Sequence, residues 1–262
     1  MVALITGGSS GLGLEFARGL GARGFDLLLV SNREDDLAAA ASALESEYPV
    51  KVRTRFQDLA VPEAADDLYS WCKEEGIIPD VLVNDAGMFF FKELQVGDLD
   101  RVQAMVNLHV TTVTRLCLLF GHSMKERGSG YVLNVSSMTA RIPAPGIAVY
   151  SATKAYLRNF GRSMSYELEP YGVSMTTVCP AAVATPLYKI DPKWMSRMER
   201  IGLIRSPEWL ARRSLKAMFR GRRLLSPAFM NVWLPPLIAA LPGPLVARIW
   251  KRLKGSGQQL KG

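Results

Sequence analysis

The sequence predicts a doubly wound α/β architecture, a parallel sheet of about seven strands with helices on both faces, followed by a C-terminal apolar and basic extension. Three observations carry this. Apolar runs at residues 2–5, 25–30, 50–56, 81–83, 131–135 and 173–178 alternate with stretches of helical length and composition. Most of the runs are continuously apolar, as strands covered on both faces are. The first run leads straight into a glycine-rich turn and then a helix.

Length and composition narrow the function classes. A chain of 262 residues favours one large domain, or one domain plus an appendage. The boundary is expected at 226/227, where composition changes. The run at 2–5 is too short for a secretory apolar region and reads as a strand. Cys72, Cys117 and Cys179 are odd in number and show no CxxC spacing, which speaks against a disulfide framework or zinc site and suits a reducing cytoplasm. With only His109 and His122 present, no metal centre is expected. The net charge of +8 is uneven: from Lys193 onward 15 Lys/Arg face two acids, a net +13, leaving −5 over residues 1–192. A nucleic-acid binder would not divide its charge this way.

The first strand ends in Thr6-Gly7-Gly8-Ser9-Ser10-Gly11-Leu12-Gly13, and a helix follows over 11–22. Glycine lets the backbone turn tightly and approach a ligand. The helix N-terminus offers unpaired N–H groups and the positive end of a dipole, which suit a pyrophosphate. Gly7, Ser9, Ser10, Gly11, Leu12 and Gly13 are thus candidate nucleotide contacts, a ligand-free turn being the alternative. The second strand ends at Ser31-Asn32-Arg33. In dinucleotide sites an acid at this strand end binds the ribose 2′-hydroxyl, whereas an arginine accommodates a 2′-phosphate. Ser31, Asn32 and Arg33 favour NADP(H) over NAD(H); the alternative for Arg33 is a solvated residue at a helix start. The third and fourth strands end in Gln57-Asp58-Leu59 and Asn84-Asp85-Ala86-Gly87.

A long helix is expected over 99–127, with Asn107 inside it, where Asn is a mild destabiliser. The fifth strand ends at Ser136-Ser137, and thirteen residues after Ser137 comes Tyr150-Ser151-Ala152-Thr153-Lys154 on a helix over 150–171. Tyr and Lys four apart share a helix face. A free phenol, with a pKa of about 10, is a poor base near neutrality, and a neighbouring ammonium brings it toward the working range. Tyr150 can then exchange a proton with a carbonyl oxygen that Ser137 holds. The sixth strand leads to Cys179-Pro180-Ala181-Ala182-Val183-Ala184-Thr185, and a short seventh is expected at 224–226.

These motifs, in this order, resemble the short-chain dehydrogenase/reductase family over residues 2 to about 227: TGxxxGxG at Thr6–Gly13, NDAG for NNAG at Asn84–Gly87, and Ser137 thirteen residues before YxxxK. The resemblance implies a Rossmann-type fold and a nicotinamide-dependent oxidoreductase acting on a carbonyl or alcohol. It places Ser31 where an NAD-selecting Asp would stand, and gives Asp58, with Leu59, to the adenine, a turn cap being the alternative for Asp58. Asn84, Ala86 and Gly87 shape the wall beside ribose and nicotinamide, with Asp85 a substitution that leaves the match intact. Asn107 kinks the long helix and holds a relay water, Lys154 binds the nicotinamide ribose, and Pro180, Val183 and Thr185 cradle the carboxamide, with Ala181 in place of a glycine. His109 is expected to be a core or helix-surface residue. A homodimer or homotetramer is implied through the two long helices.

Substrate loops in the family follow the sixth strand, here a lid at about 186–206 whose Tyr188, Trp194, Met195 and Met198 suit a lipophilic molecule. Residues 224–247 carry no charge over 24 positions but hold five prolines, so a single straight helix is not expected. Basic residues flank them, Arg220, Arg222 and Arg223 before, Arg248, Lys251, Arg252 and Lys254 after. The segment resembles the tails of steroid and long-chain 3-oxoacyl reductases, and reads as a surface-lying anchor on the inner face of an anionic membrane. A subunit contact or a pocket lid is the alternative. The leading reading is an NADP(H)-dependent reductase or dehydrogenase of lipophilic ketones and alcohols. A catalytically silent nucleotide sensor or membrane-associated binding protein is the runner-up, against which the complete Asn107, Ser137, Tyr150 and Lys154 set argues.

Overall fold

Alternating Leu residues in the second strand face opposite sides of the sheet, and this period of two builds the two cores of the protein. The computed structural model describes residues 1–181, 205–227 and 229–256. The order is β1 (Val2–Thr6), α1 (Gly11–Gly21), β2 (Asp26–Ser31), α2 (Glu34–Glu47), β3 (Val52–Phe56), α3 (Ala64–Glu74), β4 (Val81–Asn84), α4 (Leu99–Val106), α5 (Val113–Arg127), β5 (Gly130–Val135), α6 (Ala148–Leu168), β6 (Val173–Val178), α7 (Pro207–Met218), β7 (Leu224–Leu225), α8 (Phe229–Ala239) and α9 (Gly243–Ser256). Seven parallel strands pair in the order β3-β2-β1-β4-β5-β6-β7. Leu27 and Leu29 pack with Phe16, Leu20, Leu44 and Leu215 under α1, α2 and α7. Leu28 and Val30 pack with Leu68, Phe120, Leu157 and Leu168 under α3, α5 and α6. Strand order reverses between β1 and β4, which opens a crevice at their C-terminal ends, the usual place for a ligand.

Two elements depart from simple expectation. β3 reads VRTRF and exposes Arg53, Thr54 and Phe56. It is an edge strand, where charge discourages pairing with another chain. The long helix is interrupted by a π-helical stretch, Asn107–Thr112, that starts at the predicted kink. The stretch is held by Thr112 Oγ1, which donates to the Leu59 carbonyl at 2.8 Å. Residues Val96–Arg127 have the length and apolarity to cross a membrane, but half of that window is buried within the protein, as in a core helix.

The tail forms two helices, not one, yet Pro235 and Pro236 lie inside α8 and do not end it. The chain breaks at Leu241-Pro242 instead. α8 lies against the segment that follows β5, where Arg141 Nη1 donates to the Val232 carbonyl at 3.5 Å, and α9 against the one that follows β4, where Trp250 meets Phe91 edge-on at 6.1 Å.

Candidate active site

The crevice holds a cavity of ≈ 480 Å³ lined from the glycine loop at one end to Ser137, Tyr150 and Lys154 at the other. The tight turn of the loop depends on glycines that lack side chains. Gly7 has φ +70°, a conformation L side chains rarely adopt, and a Cβ on Gly13 would fall 2.2 Å from the Gly7 carbonyl oxygen. Ser10 precedes α1 without capping it through its side chain, so the helix N-terminus faces the cavity. Beyond it, Ser9 Oγ and Ser31 Oγ bond at 2.9 Å, and Arg33 reaches Ser10 Oγ while its other nitrogen pairs with Asp36 at 2.9 Å. Hydroxyls and a guanidinium thus converge where the β2 end meets the loop. Asp58 lines the cavity and also caps its own turn, accepting from the Ala60 N–H at 2.9 Å.

At the catalytic end the side chains are buried. Lys154, 5% exposed, donates from Nζ to the Val135 carbonyl at 2.9 Å, and Nζ lies 5.7 Å from the Tyr150 ring centre. Ser136 Oγ donates to the Lys154 carbonyl at 2.6 Å, tying α6 to the end of β5. Ser137 Oγ accepts from Thr139 N and Oγ1, at 3.2 and 2.9 Å, which leaves its own hydrogen to donate into the cavity. Tyr150 is fixed edge-on by Phe89 at 5.0 Å and His109 at 5.8 Å. Burial pushes Lys154 down to about 8, with Asp85 opposing. An ammonium beside the phenol stabilises negative charge on its oxygen as a proton leaves.

Of the predicted site residues, Gly7, Ser9, Ser10, Gly11, Leu12, Ser31, Asn32, Arg33, Asp58, Leu59, Ala86, Gly87, Ser137, Tyr150, Lys154 and Pro180 line this one cavity. Val183, Thr185 and most of the lid lie outside the described residues. Three lie off the cavity wall. Asn84, expected beside the cofactor, turns into the core, donating to Asn134 Oδ1 at 2.8 Å and Cys117 Sγ at 3.4 Å, and so braces β4 against β5. Gly13 acts from behind the loop. Asn107 is buried at the start of the π-helical stretch and accepts from Gln103 Nε2 at 2.9 Å.

Three residues gain roles that the motifs alone did not give them. Thr6 Oγ1 accepts from the N–H groups of Asp85 and Ala86, both at 3.1 Å, joining the β1 and β4 ends. His109 Nε2 accepts from the Met88 N–H at 3.0 Å; an imidazole that accepts there carries its proton on Nδ1, which lies 3.0 Å from Thr153 Oγ1. Thr153 in turn donates to the Tyr150 carbonyl at 2.9 Å. Burial, then the Lys154 charge, hold His109 well below its ordinary pKa, so it stays neutral. It is a core residue, as expected, but one that positions Tyr150. The third is Asp85, whose carboxylate accepts from the Gly13 N–H and whose pKa burial pushes up to about 7, with the Lys154 charge and that hydrogen bond opposing. The donor-rich loop, the Arg33 cluster and the cavity between them fit a dinucleotide.

Known proteins agree with this geometry. A mouse very-long-chain 3-oxoacyl-CoA reductase is 34% identical over 195 residues, 72% of this chain and 61% of that protein. A zebrafish 17-beta-hydroxysteroid dehydrogenase type 3 is 32% identical over 192 residues, 71% of this chain and 61% of that protein. The chain thus aligns with about three fifths of the length of these relatives. Among solved structures, a short-chain dehydrogenase from Sphingobium yanoikuyae in complex with NADPH superposes with a TM-score of 0.78 at 26% identity, covering 99% of this chain and 94% of that one. The short chain dehydrogenase family itself matches residues 1–196, and the chain belongs to it.

Proposed function

We propose that the protein is an NADP(H)-dependent oxidoreductase that moves a hydride between the nicotinamide and the carbonyl carbon of a lipophilic ketone or its alcohol. The observation that carries this is the placement of Ser137, Tyr150 and Lys154 at one end of a cavity whose other end is the glycine loop and Arg33. The cofactor, when bound, supplies or accepts the hydride. Ser137 donates to the substrate oxygen and fixes it. Tyr150 gives that oxygen a proton in reduction and takes one in oxidation, with Lys154 stabilising the phenolate. Arg33, Ser10 and Ser31 supply donors for a 2′-phosphate. A lipophilic substrate is supported by Met88, Phe89, Ile147 and Val149 packed around Tyr150 and by the lipid and steroid enzymes among the relatives. Purified protein titrated separately with NADPH and NADH is expected to bind NADPH more tightly, and then to reduce members of a panel of long-chain 3-oxoacyl and steroid ketones. Failure to bind either nucleotide would sink the reading and favour a silent binding protein.

The tail favours a second element of this reading, peripheral attachment to the cytoplasmic face of an anionic membrane. Trp233, Leu237, Leu241, Leu245 and Ile249 are exposed on α8, α9 and the link between them, with Arg248, Lys251 and Arg252 beside them. The protein is expected to float with vesicles of phosphatidylserine and phosphatidylcholine, less so at high salt. No flotation at low salt would remove the anchor and leave the apolar face to a subunit contact.

A further inference from the structure

The carboxyl group of Asp85 stands where the family pattern has a neutral amide, and three features of its surroundings converge. It lies partly buried in the wall of the nucleotide cavity. It accepts the backbone N–H of Gly13, in the first turn of α1, and the contact is tight: a Cβ on Gly13 would lie 3.0 Å from Asp85 Oδ2. Its own backbone N–H is fixed by Thr6 Oγ1 at 3.1 Å, which anchors the main chain that carries the carboxyl to the end of β1. A carboxylate therefore already occupies the positive end of the helix whose free N–H groups would receive a pyrophosphate.

Two anions at one helix N-terminus, in a partly buried setting, repel each other. The cheapest relief is a proton on the carboxyl. We infer that binding of a pyrophosphate-containing dinucleotide is linked to uptake of a proton by Asp85, which makes cofactor affinity depend on pH. This rests on the nucleotide-binding reading above. The groups facing Asp85 are few. Among the described residues the Lys154 ammonium of α6 is the one charge acting on it; from β1 comes the Thr6 hydroxyl, and from α1 the Gly13 N–H. Tyr150 lines the same cavity, and His109, kept neutral by burial, packs against Tyr150. Arg33 and Asp58 line the same cavity at its adenosine end. With the free carboxyl titrating near pH 7, the linkage has its largest range just above that value. Below pH 6 Asp85 is already protonated and little is taken up. Above pH 7 each pH unit weakens binding, up to about tenfold per unit for one linked proton.

Lys154 is the competing proton acceptor, since an incoming anion would also favour its charged form. Calorimetry distinguishes the two. NADPH binding would be measured from pH 6 to 9, at each pH in two buffers with different ionisation enthalpies, for wild type, Asp85→Asn and Lys154→Met; the number of protons taken up does not depend on how tightly each variant binds. NADH provides the control for the 2′-phosphate, which titrates near pH 6 itself. The amide oxygen introduced by Asp85→Asn would still accept the Gly13 N–H, so this variant is expected to fold, and its circular dichroism and melting curve would verify this. The expected result is uptake of a clear fraction of a proton in wild type, with both nucleotides, and its loss in Asp85→Asn. Uptake should persist in Lys154→Met with its midpoint moved to higher pH, because removing the ammonium favours the protonated carboxyl. Uptake retained in Asp85→Asn, or lost in Lys154→Met across pH 6–9, would overturn the inference in favour of Lys154. Nucleotide binding without uptake in wild type would overturn the inference alone. No nucleotide binding at all would overturn the functional reading beneath it.

Discussion

The two ends of the cavity hold their charges in different ways. At the adenosine end Arg33 and Asp36 form an ion pair with side chains 50% and 45% exposed, and Asn32 and Asp58 are open to water. At the catalytic end Lys154, Ser137 and Tyr150 are each about 5% exposed, and His109 is fully enclosed. Exposed charges are screened and contribute little individually, on the order of 0–1 kcal/mol for a surface pair. Buried ones act at short range in a low dielectric, where protonation state becomes a variable of the site. On the proposed function, the adenosine end selects and holds the cofactor, and the catalytic end moves protons.

The largest expected effect tests that contrast directly. Tyr150→Phe keeps the ring between Phe89 and His109 and removes only the proton-transferring oxygen. With any ketone that the wild type reduces, turnover is expected to fall by roughly 10²–10⁴, the usual contribution of general acid–base catalysis. NADPH affinity should change little. Turnover within a few-fold of wild type would move the proton donor elsewhere and dissolve the functional difference between the two ends.

Much of this was legible from residue order, and the exceptions share a cause. The six apolar runs located β1 to β6 because strands buried on both faces leave little room for polar residues; β3, at the sheet edge, is the most polar of them. Ser137, Tyr150 and Lys154 were legible because a strand end and one helix turn fix their spacing locally. The kink at Asn107 came from the family resemblance; the helix pattern itself runs on past it and showed only a mild destabiliser there. The contacts of Asp85, His109 and Asn84 were not. Asp85 meets Gly13 only because β1 pairs with β4 in the register Thr6↔Asn84, which brings segments some seventy residues apart into one wall. His109 reads as a core residue until Met88 and Thr153 arrive from two other elements. Asn84 sits inside a motif yet points into the core, since period-two alternation at a strand end decides the face. Pro235 and Pro236 mislead in the opposite sense. The local rule against proline inside a helix is overridden in α8, which packs beside the Met138–Arg141 turn and places the break at Pro242.

The smaller effect lies at the adenosine end, and salt distinguishes it. Arg33→Ala removes the guanidinium that bonds Ser10 and would face a 2′-phosphate. NADPH affinity is expected to fall by about tenfold at low ionic strength, the size of one partly solvated charge-assisted contact. NADH affinity should hardly move, because NADH lacks the 2′-phosphate. Since Arg33 is half exposed, the loss should shrink as salt rises and the Debye length falls to about 3 Å near 1 M. Titrations of both cofactors at low and high salt give all four comparisons. A loss that is equal for NADPH and NADH would make Arg33 a fold-stabilising residue, and the preference for NADP(H) would then have to come from Ser31 and Asn32. A loss that persists undiminished at high salt would mean that cofactor binding buries this end as well, and the contrast between a wet, selective end and a dry, catalytic one would hold only for the empty cavity.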